Sequence, residues 1–412
     1  MKNESLITDY KNFLDNGKTE RECVSQIISW AEKSGFRDVY KTDSLKAGDK
    51  VYVQKMNKAV ALFVVGSESI EKGMNILGAH VDSPRLDVKQ NPLYENNFLV
   101  YLNTHYYGGI KKYQWVTLPL AIHGVVCKKD GTSVQVCVGE SETDPVFCIS
   151  DILPHLAQKQ MKEAASDFIP GESLDLITGS SIPSKDDEDP ESKKDKITAK
   201  KAILAILKEK YGIEEADFGS AELEVVPAGK ARDLGFDRSL ILAYGQDDRS
   251  CAYTSARALI ESKAGSRTNC CLCVDKEEIG SVGATGMGSH FFENALAEVI
   301  ALLPNGYSDL TLRRALANSN MLSSDVNAAY DPINAGLYDR DNASFLGGGL
   351  VFNKYTGSRG KSGANDANPE FIAKLRGAME KAEVRYQMAE LGKVDQGGGG
   401  TIAYLAQFRH LI

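Results

Sequence analysis

Four short apolar segments of this chain, each strand-like in composition, end in clusters of histidine or acidic side chains. The clusters are His80-Val81-Asp82, Asp247-Asp248, Glu277-Glu278 and Ser323-Ser324-Asp325. An α/β sheet delivers polar side chains to its carboxyl edge in this way. The pattern therefore predicts one functional site that is assembled from the ends of several strands.

Secondary-structure patterns predict two kinds of region. Strands that alternate with helices flank a central region, and this alternation is typical of an α/β fold with a mostly parallel sheet. Between about Phe98 and Val138, short strands separated by glycine-containing turns predict a β-rich module instead. We therefore predict a catalytic domain of residues 1–95 and 236–412, with an inserted β-rich domain over residues 96–235.

Several elements in the second half of the chain can also be predicted. Apolar residues at helical intervals predict helices over Ala202–Tyr211 and Pro369–Leu391, and a further helix begins at Thr401. The tract from Ser184 to Asp195 is too highly charged to be buried. We expect this tract to form an exposed loop.

Composition narrows the possible partners and the compartment. The net charge of this 412-residue chain is -8, and no Lys/Arg block indicates binding to nucleic acid or to an acidic membrane surface. The N-terminus lacks an apolar signal region, and no stretch is apolar enough to span a membrane. The eight cysteines lack the spacing of a zinc ribbon and are interpreted as reduced core thiols. These features predict a cytoplasmic protein whose partners are peptides or small molecules.

The strand-end clusters contain the ligands that a zinc enzyme needs. A mixed set of imidazole and carboxylate groups suits Zn²⁺, and a pair of ions requires one carboxylate that bridges them. Each cluster alone has a simpler explanation: His80 as a hydrogen-bonded structural residue, Glu277-Glu278 as a solvated pair, and Asp325 as a helix cap. Their shared position at strand ends favours a common site.

Five segments of the chain resemble the M18 family of metallo-aminopeptidases and follow that family's order. They are Gly78–Leu86 (GAHVDSPRL), Tyr244–Arg249 (YGQDDR), Asp275–Ser281 (DKEEIGS), Ser323–Val326 (SSDV) and Gln396–Thr401 (QGGGGT). The resemblance implies a zinc-exopeptidase-like, phosphorylase/hydrolase-like catalytic domain and a β-rich dimerisation domain. It also implies the removal of N-terminal residues from peptides.

The resemblance assigns roles to individual residues. It implies two Zn²⁺ ions per subunit, which Mn²⁺ or Co²⁺ can replace, and four protein ligands: His80, Asp247 as the bridge, Glu278 and Asp325. Glu277 is then the general base that takes a proton from water and returns it to the leaving amine. Asp82 is the carboxylate that accepts the other N–H of the ligand imidazole. For Asp248 we expect a structural role, as a helix cap or a loop brace.

Two further residues resemble substrate-binding residues of the family. His155 is similar to a histidine that a neighbouring subunit contributes to the substrate pocket, and Lys354 is similar to a pocket lysine. The resemblance also implies a homodimer as the building block and allows a homododecamer. The preference for the N-terminal residue of the substrate, acidic or neutral, stays open.

The sequence departs from the family pattern near its end. In family members the glycine-rich segment is followed by a helix, a strand and a Met-His pair that supplies a fifth metal ligand. Here the sequence stops at Ile412, and His410 is expected to be a terminal residue rather than a replacement ligand. The sequence therefore predicts one weakly bound zinc. It leaves open a non-catalytic peptide-binding scaffold and, as a third option, a deacetylase or carboxypeptidase on a similar core.

Overall fold

The computed structural model describes residues 2–180, 198–356, 360, 366–399 and 401–403. The chain divides into two compact units, which are described separately: Glu20–Asp82 with Gly245–Ile412, and Met1–Thr19 with Ser83–Tyr244. The charged tract at 184–195, His410 and most of the helix expected after Thr401 lie outside the described residues. The inserted domain over 96–235 stays a prediction.

The described residues form sixteen strands. They are β1 (Arg37–Asp38), β2 (Lys50–Lys55), β3 (Ala59–Val64), β4 (Met74–His80), β5 (Arg85–Asn96), β6 (Leu99–Tyr107), β7 (Leu120–Cys127), β8 (Ser133–Val138), β9 (Leu176–Ser180), β10 (Ala221–Pro227), β11 (Arg232–Leu234), β12 (Leu240–Leu242), β13 (Thr268–Val274), β14 (Asn320–Ser323), β15 (Leu350–Asn353) and β16 (Tyr386–Ala389).

Seven α-helices lie in the described part of the chain. They are α1 (Lys2–Asn16), α2 (Glu20–Lys33), α3 (Ala199–Tyr211), α4 (Gln246–Glu261), α5 (Phe291–Leu302), α6 (Asp309–Ala317) and α7 (Pro369–Lys381). Local sequence explains several of their starts. The side chain of Ser308 caps α6, and Asn368 caps α7 just before a proline at the first helical position.

The unit that contains Glu20–Asp82 is built on a mixed six-stranded sheet with the order β1-β2-β3-β13-β4-β14. Three pairings are parallel, β1 with β2, β13 with β4, and β4 with β14. The predicted mostly parallel sheet is thus correct around β4 but wrong for β3, which is antiparallel to both of its neighbours. The reason is local, because Met56 and Asn57 adopt positive φ angles and turn β2 directly back into β3 as a hairpin.

An apolar core packs this sheet against α5 and α6. Every residue of β3 is buried, and Phe63 stacks on Phe292 of α5 with ring centroids 6.5 Å apart. Gly78 in β4 permits close packing, since a Cβ atom there would lie 2.3 Å from the Cε atom of Met321 in β14. Continuous burial of this kind identifies β3 as a central strand of the sheet.

The second unit contains an antiparallel sheet with the order β8-β7-β10-β5-β6-β9. Its own apolar core includes Leu86, Val100, Leu120 and Val225, and α3 packs on it through Ile203 and its neighbours. The alternation of Val134–Val138, one of the short strands predicted between Phe98 and Val138, lies within β8 at one edge of this sheet.

Two expectations about local structure were wrong in part. The helix predicted to reach Leu391 ends at Lys381, because Glu383 adopts a φ of 54° and the chain continues as β16. None of the eight cysteines, all of which lie in the described part of the chain, forms a disulfide. Cys127 and Cys137 are nevertheless exposed, so the thiols are not all core residues.

No helix among the described residues is long and apolar enough to cross a membrane.

Candidate active site

Strand direction brings the predicted ligands to one edge of the mixed sheet. His80 is the last residue of β4, Glu277 follows β13, and Asp325 follows β14. These three strands are mutually parallel where they pair, so their carboxyl ends meet at the same edge. Asp247 reaches this edge from the start of α4.

A glycine permits the turn that leads into α4. Gly245 adopts a φ of 78°, and a Cβ atom at this position would lie 1.8 Å from Nη1 of the buried Arg249. Only glycine therefore fits between the preceding chain and this guanidinium group.

Three of the predicted metal ligands lie together. The imidazole Nε2 of His80 is 3.3 Å from Oδ1 of Asp247 and 4.0 Å from Oδ1 of Asp325. One potential ligand atom from each of these residues lies within 4.8 Å of the other two. The side chain of His80 is buried, whereas that of Asp247 is about half exposed. The cluster is therefore held by the sheet on one side and open on the other.

Asp82 orients both the histidine and the adjacent glutamates. The Nδ1 atom of His80 lies 3.1 Å from the backbone oxygen of Asp82 and 3.3 Å from its Oδ1 atom. Two acceptors at Nδ1 favour a proton there, which leaves Nε2 available as a ligand atom. The fully buried carboxylate of Asp82 also accepts the backbone N–H groups of Glu277 and Glu278, each at 3.2 Å.

Replacing Asp82 by asparagine is expected to weaken zinc binding by about 10–100-fold, the usual effect of losing a carboxylate behind a metal ligand. The asparagine amide cannot accept hydrogen bonds at both of its side-chain atoms, so one of the amides of Glu277 and Glu278 loses its partner. Calorimetric titration of the metal-free chain with Zn²⁺ measures the effect. The exposed Asp43→Asn is the control, and equal affinities for the two variants would contradict the role of Asp82.

Asp248 braces the strand that carries the histidine. Its carboxylate is fully buried, and Oδ2 accepts the backbone N–H of His80 at 3.4 Å. Burial raises the pKa of Asp248 to about 8. These contacts agree with the structural role that we expected for this residue.

The site concentrates negative charge where solvent is limited. Burial raises the pKa of Glu277 to about 7, that of Glu278 to about 8 and that of Asp325 to about 6, and repulsion from neighbouring carboxylates adds to each shift. Burial also opposes the charged form of His80, but hydrogen bonds to Asp247 and Asp82 outweigh it and raise the pKa of the imidazole. A bound cation would remove this repulsion, so the charge distribution fits a metal site.

The metal-free chain is expected to lose stability at this site as the pH rises from about 5 to 8. A carboxyl group whose folded pKa lies above its unfolded pKa binds more protons in the folded state, so its contribution to stability falls with rising pH. In the presence of a chelator, Glu278→Gln should therefore gain stability over the wild type at pH 8. We expect a gain on the order of 1 kcal/mol after allowing for solvent screening.

Urea unfolding at about pH 5 and at pH 8 measures the difference in the free energy of unfolding between Glu278→Gln and the wild type. Saturating Zn²⁺ should reverse the sign of the stability difference, because the metal requires the ionised carboxylate and Glu278→Gln removes a predicted ligand. A difference between the two chains that does not change with pH would contradict the assigned charge repulsion.

The cluster opens into a cleft with a volume of about 420 Å³. Its described lining residues are Asp247, Glu277, Glu278, Asp325, Val326, Asn327, Asn353, Tyr355, Thr356, Gly360, Glu390, Leu391, Lys393, Val394, Gly398, Gly399 and Thr401. Five of these side chains are acidic and one, Lys393, is basic, so a positively charged group is attracted into the cleft.

The other two predicted site residues lie outside this cluster. Lys354 is exposed, and at this point the cleft is lined by its neighbours Asn353 and Tyr355. His155 lies in an exposed, turn-rich segment of the second unit. Substrate binding by His155 and Lys354 stays a prediction.

Sequence reasoning missed several residues that line the cleft. Tyr355, Glu390 and Lys393 line it but were not selected as candidates. A signal was present, because Glu390 directly follows the short strand β16, just as the predicted metal-binding clusters lie at the ends of their strands. The prediction of a continuous helix up to Leu391 concealed it.

Comparison with known proteins decides the family. A sequence model described as "Aminopeptidase I zinc metalloprotease (M18)" matches residues 13–409. The chain belongs to the M18 peptidase family. It is 60% identical over 400 residues to a probable M18 family aminopeptidase 1 of Clostridium acetobutylicum, covering 96% of this chain and 84% of that protein. The corresponding protein of Thermotoga maritima is 44% identical over 400 residues, covering 97% of this chain and 86% of that protein.

Solved structures of the M18 family have the same fold. The M18 aminopeptidase of Thermotoga maritima superposes with a TM-score of 0.92 at 43% identity, covering 99% of this chain and 88% of that one. Aminopeptidase I of Clostridium acetobutylicum gives a TM-score of 0.88 at 55% identity, covering 98% and 86%. The chain is thus a hydrolase of a zinc metallo-aminopeptidase family with a mixed α/β fold. These relatives do not favour the non-catalytic scaffold.

Proposed function

We propose that this M18 chain removes N-terminal residues from peptides by using two zinc ions. His80, Asp247, Glu278 and Asp325 would hold the ions, with Asp247 as the bridging carboxylate. The donor set fits the metal, because imidazole nitrogen and carboxylate oxygen atoms are common zinc ligands and the acids repel one another without a cation. When bound, the ions supply Lewis acidity that lowers the pKa of water and polarises a peptide carbonyl group.

Glu277 is the proposed general base. Its carboxylate lines the cleft beside the metal cluster, and its backbone N–H donates to the buried Asp82. Because burial raises the pKa of Glu277 to about 7, the carboxylate can take a proton from the attacking water near neutral pH. The resulting carboxylic acid can then return the proton to the leaving amine.

The observation that best supports this proposal is the position of Glu277 and Glu278. Asp82 fixes the two adjacent amides, and both side chains line the cleft that Asp247 and Asp325 also line. Neighbouring acids can therefore divide the work, one as metal ligand and the other as base.

The test is hydrolysis of aminoacyl reporter substrates by the purified chain with Zn²⁺, Mn²⁺ or Co²⁺. We expect release of the reporter from substrates with a free α-amino group and none from N-acetylated forms. The set should contain acidic and neutral N-terminal residues, because Lys354 alone does not decide between them. If no reporter is released at any N-terminal residue with any of the metals, the proposal fails.

We also propose that the chain self-associates in the cytoplasm, with a homodimer as the building block. The yeast mApe1 dodecamer, a solved structure, shares the fold of this chain at 20% identity and a TM-score of 0.75. In a dimer, His155 from the inserted β-rich domain would reach the substrate pocket of the partner. Light scattering after size-exclusion chromatography tests the assembly, and a monomer at micromolar concentration would oppose it.

A further inference from the structure

The side of the cleft that carries Glu390 is built by a second pair of strand ends. β15 and β16 pair in parallel, with Asn353 opposite Ala389 at their carboxyl ends. Parallel strands release the following residues at the same edge. Tyr355 and Glu390, which follow these two strands, therefore lie side by side in the cleft lining.

Glu390 is held in place from two directions. The hydroxyl of Tyr355 donates a hydrogen bond to Oε2 of Glu390. The backbone N–H of Glu390 donates to the carbonyl oxygen of Asn342 at 2.8 Å. Its side chain is half-buried, and among the described residues only Tyr355 donates to the carboxylate. The second carboxylate oxygen, Oε1, can therefore accept from a bound molecule.

The charge of Glu390 has no other assigned role. In the proposed function, the acids Asp247, Glu278 and Asp325 are metal ligands and Glu277 is the base. Glu390 is the one further acidic residue among the described lining residues. The ammonium group of Lys393, the basic residue of the described lining, donates to the carbonyl oxygen of Gly336 at 2.5 Å.

An enzyme that removes only N-terminal residues must distinguish a free α-ammonium group from an internal peptide bond. A fixed carboxylate in the cleft makes this distinction, because a hydrogen bond reinforced by an opposite charge on the donor forms only with the ammonium group and not with a neutral amide. We propose that Glu390, positioned by Tyr355, binds the α-ammonium group of the substrate. This inference rests on the proposed aminopeptidase function and adds the group that restricts cleavage to the chain terminus.

Calorimetric binding of two inhibitors to the zinc-loaded chain tests the role of Glu390. Leucine hydroxamate and its des-amino analogue share the metal-binding group and the side chain and differ only in the α-amine. Because charge-assisted hydrogen bonds are stronger than neutral ones, Glu390→Gln is expected to lower the binding affinity for leucine hydroxamate by about 10–100-fold. The affinity of the des-amino analogue should not change.

Three further variants make the test specific. Glu390→Asp keeps the charge and should retain part of the preference for the amine. Tyr355→Phe keeps the carboxylate of Glu390 but removes the hydrogen bond that positions it. This variant should reduce the preference for the inhibitor with the α-amine by a smaller factor. It also serves as a second probe if Glu390→Gln does not fold. The exposed Glu370→Gln lies in the first turn of α7 and should bind both inhibitors as the wild type does.

Several outcomes would overturn the inference. An equal loss of affinity for both inhibitors would indicate general damage to the cleft, and an unchanged preference for the amine would remove Glu390 from its recognition. A loss of kcat/KM confined to substrates with N-terminal Lys or Arg would assign Glu390 to the substrate side chain instead. Failure of the proposed function is distinguishable, because the wild type would then release no aminoacyl reporter.

Discussion

Replacing Glu277 by glutamine is expected to lower kcat/KM by about 10²–10⁴-fold, the usual contribution of a general base. Glutamine keeps the shape of the side chain and the backbone N–H that Asp82 accepts. It cannot take a proton from water. Because Glu277 is not a proposed ligand, the metal content should stay that of the wild type, and the loss should appear in kcat rather than in substrate binding.

The adjacent residue provides the contrast. Glu278→Gln should lower both the activity and the zinc content, since Glu278 is a proposed ligand. Glu68→Gln, an exposed residue of the same unit, should change neither. Elemental analysis of dialysed protein, combined with steady-state rates, separates the three cases. If Glu277→Gln loses zinc and Glu278→Gln keeps it, the two roles are reversed.

Replacing Asp247 by asparagine is expected to abolish activity and to weaken zinc binding by more than about 100-fold. Mutation of a residue that only hydrogen-bonds to a metal ligand already lowers metal affinity by about 10–100-fold, and the loss of a ligand should exceed this. Asp247 is the proposed bridge, so its loss affects both metal sites at once. The amide of asparagine is also neutral and does not compensate the charge of two cations. Zinc should fall to fewer than one ion per chain.

Competition of the protein with a chromogenic chelator measures this affinity. The control is Asp309→Asn, in which an exposed acid at the start of α6 loses its ion pair with Arg313. Asp325→Asn is the informative comparison, since a ligand of a single ion should leave about one zinc bound. Two tightly held ions in Asp247→Asn would rule out the bridging role.

Much of the candidate site could be predicted from short stretches of sequence. The polar clusters at His80, Glu277 and Asp325 follow strands whose apolar composition is visible locally, and the structure places all three clusters at one sheet edge. The rule works because a central strand buries its apolar residues, and the ligand-binding crevice of such a sheet lies at the carboxyl ends of its strands. Asp82 could be assigned to His80 because the family resemblance implies a carboxylate two residues after the ligand histidine, and the two side chains are 3.3 Å apart.

The predictions that failed concern elements whose local sequence pattern fits two structures. The apolar residues after Lys381 suit the end of a helix as well as a short strand, and their pairing with β15 decides for the strand. The antiparallel β3 also depends on a turn at Met56 and Asn57, which lacks the glycine that usually signals a hairpin. Local sequence cannot resolve such cases, because the deciding contacts are made with distant parts of the chain.

The sequence by itself determined the family, the α/β class and the identity of the proposed metal ligands. Only the tertiary structure decided which side chains share the cleft. Asp325 lies within reach of His80 because β14 pairs with β4, and Glu390 enters the cleft because β16 pairs with β15. The physical reason is that strand composition fixes where a polar cluster begins, whereas backbone hydrogen bonds between remote strands fix which clusters become neighbours.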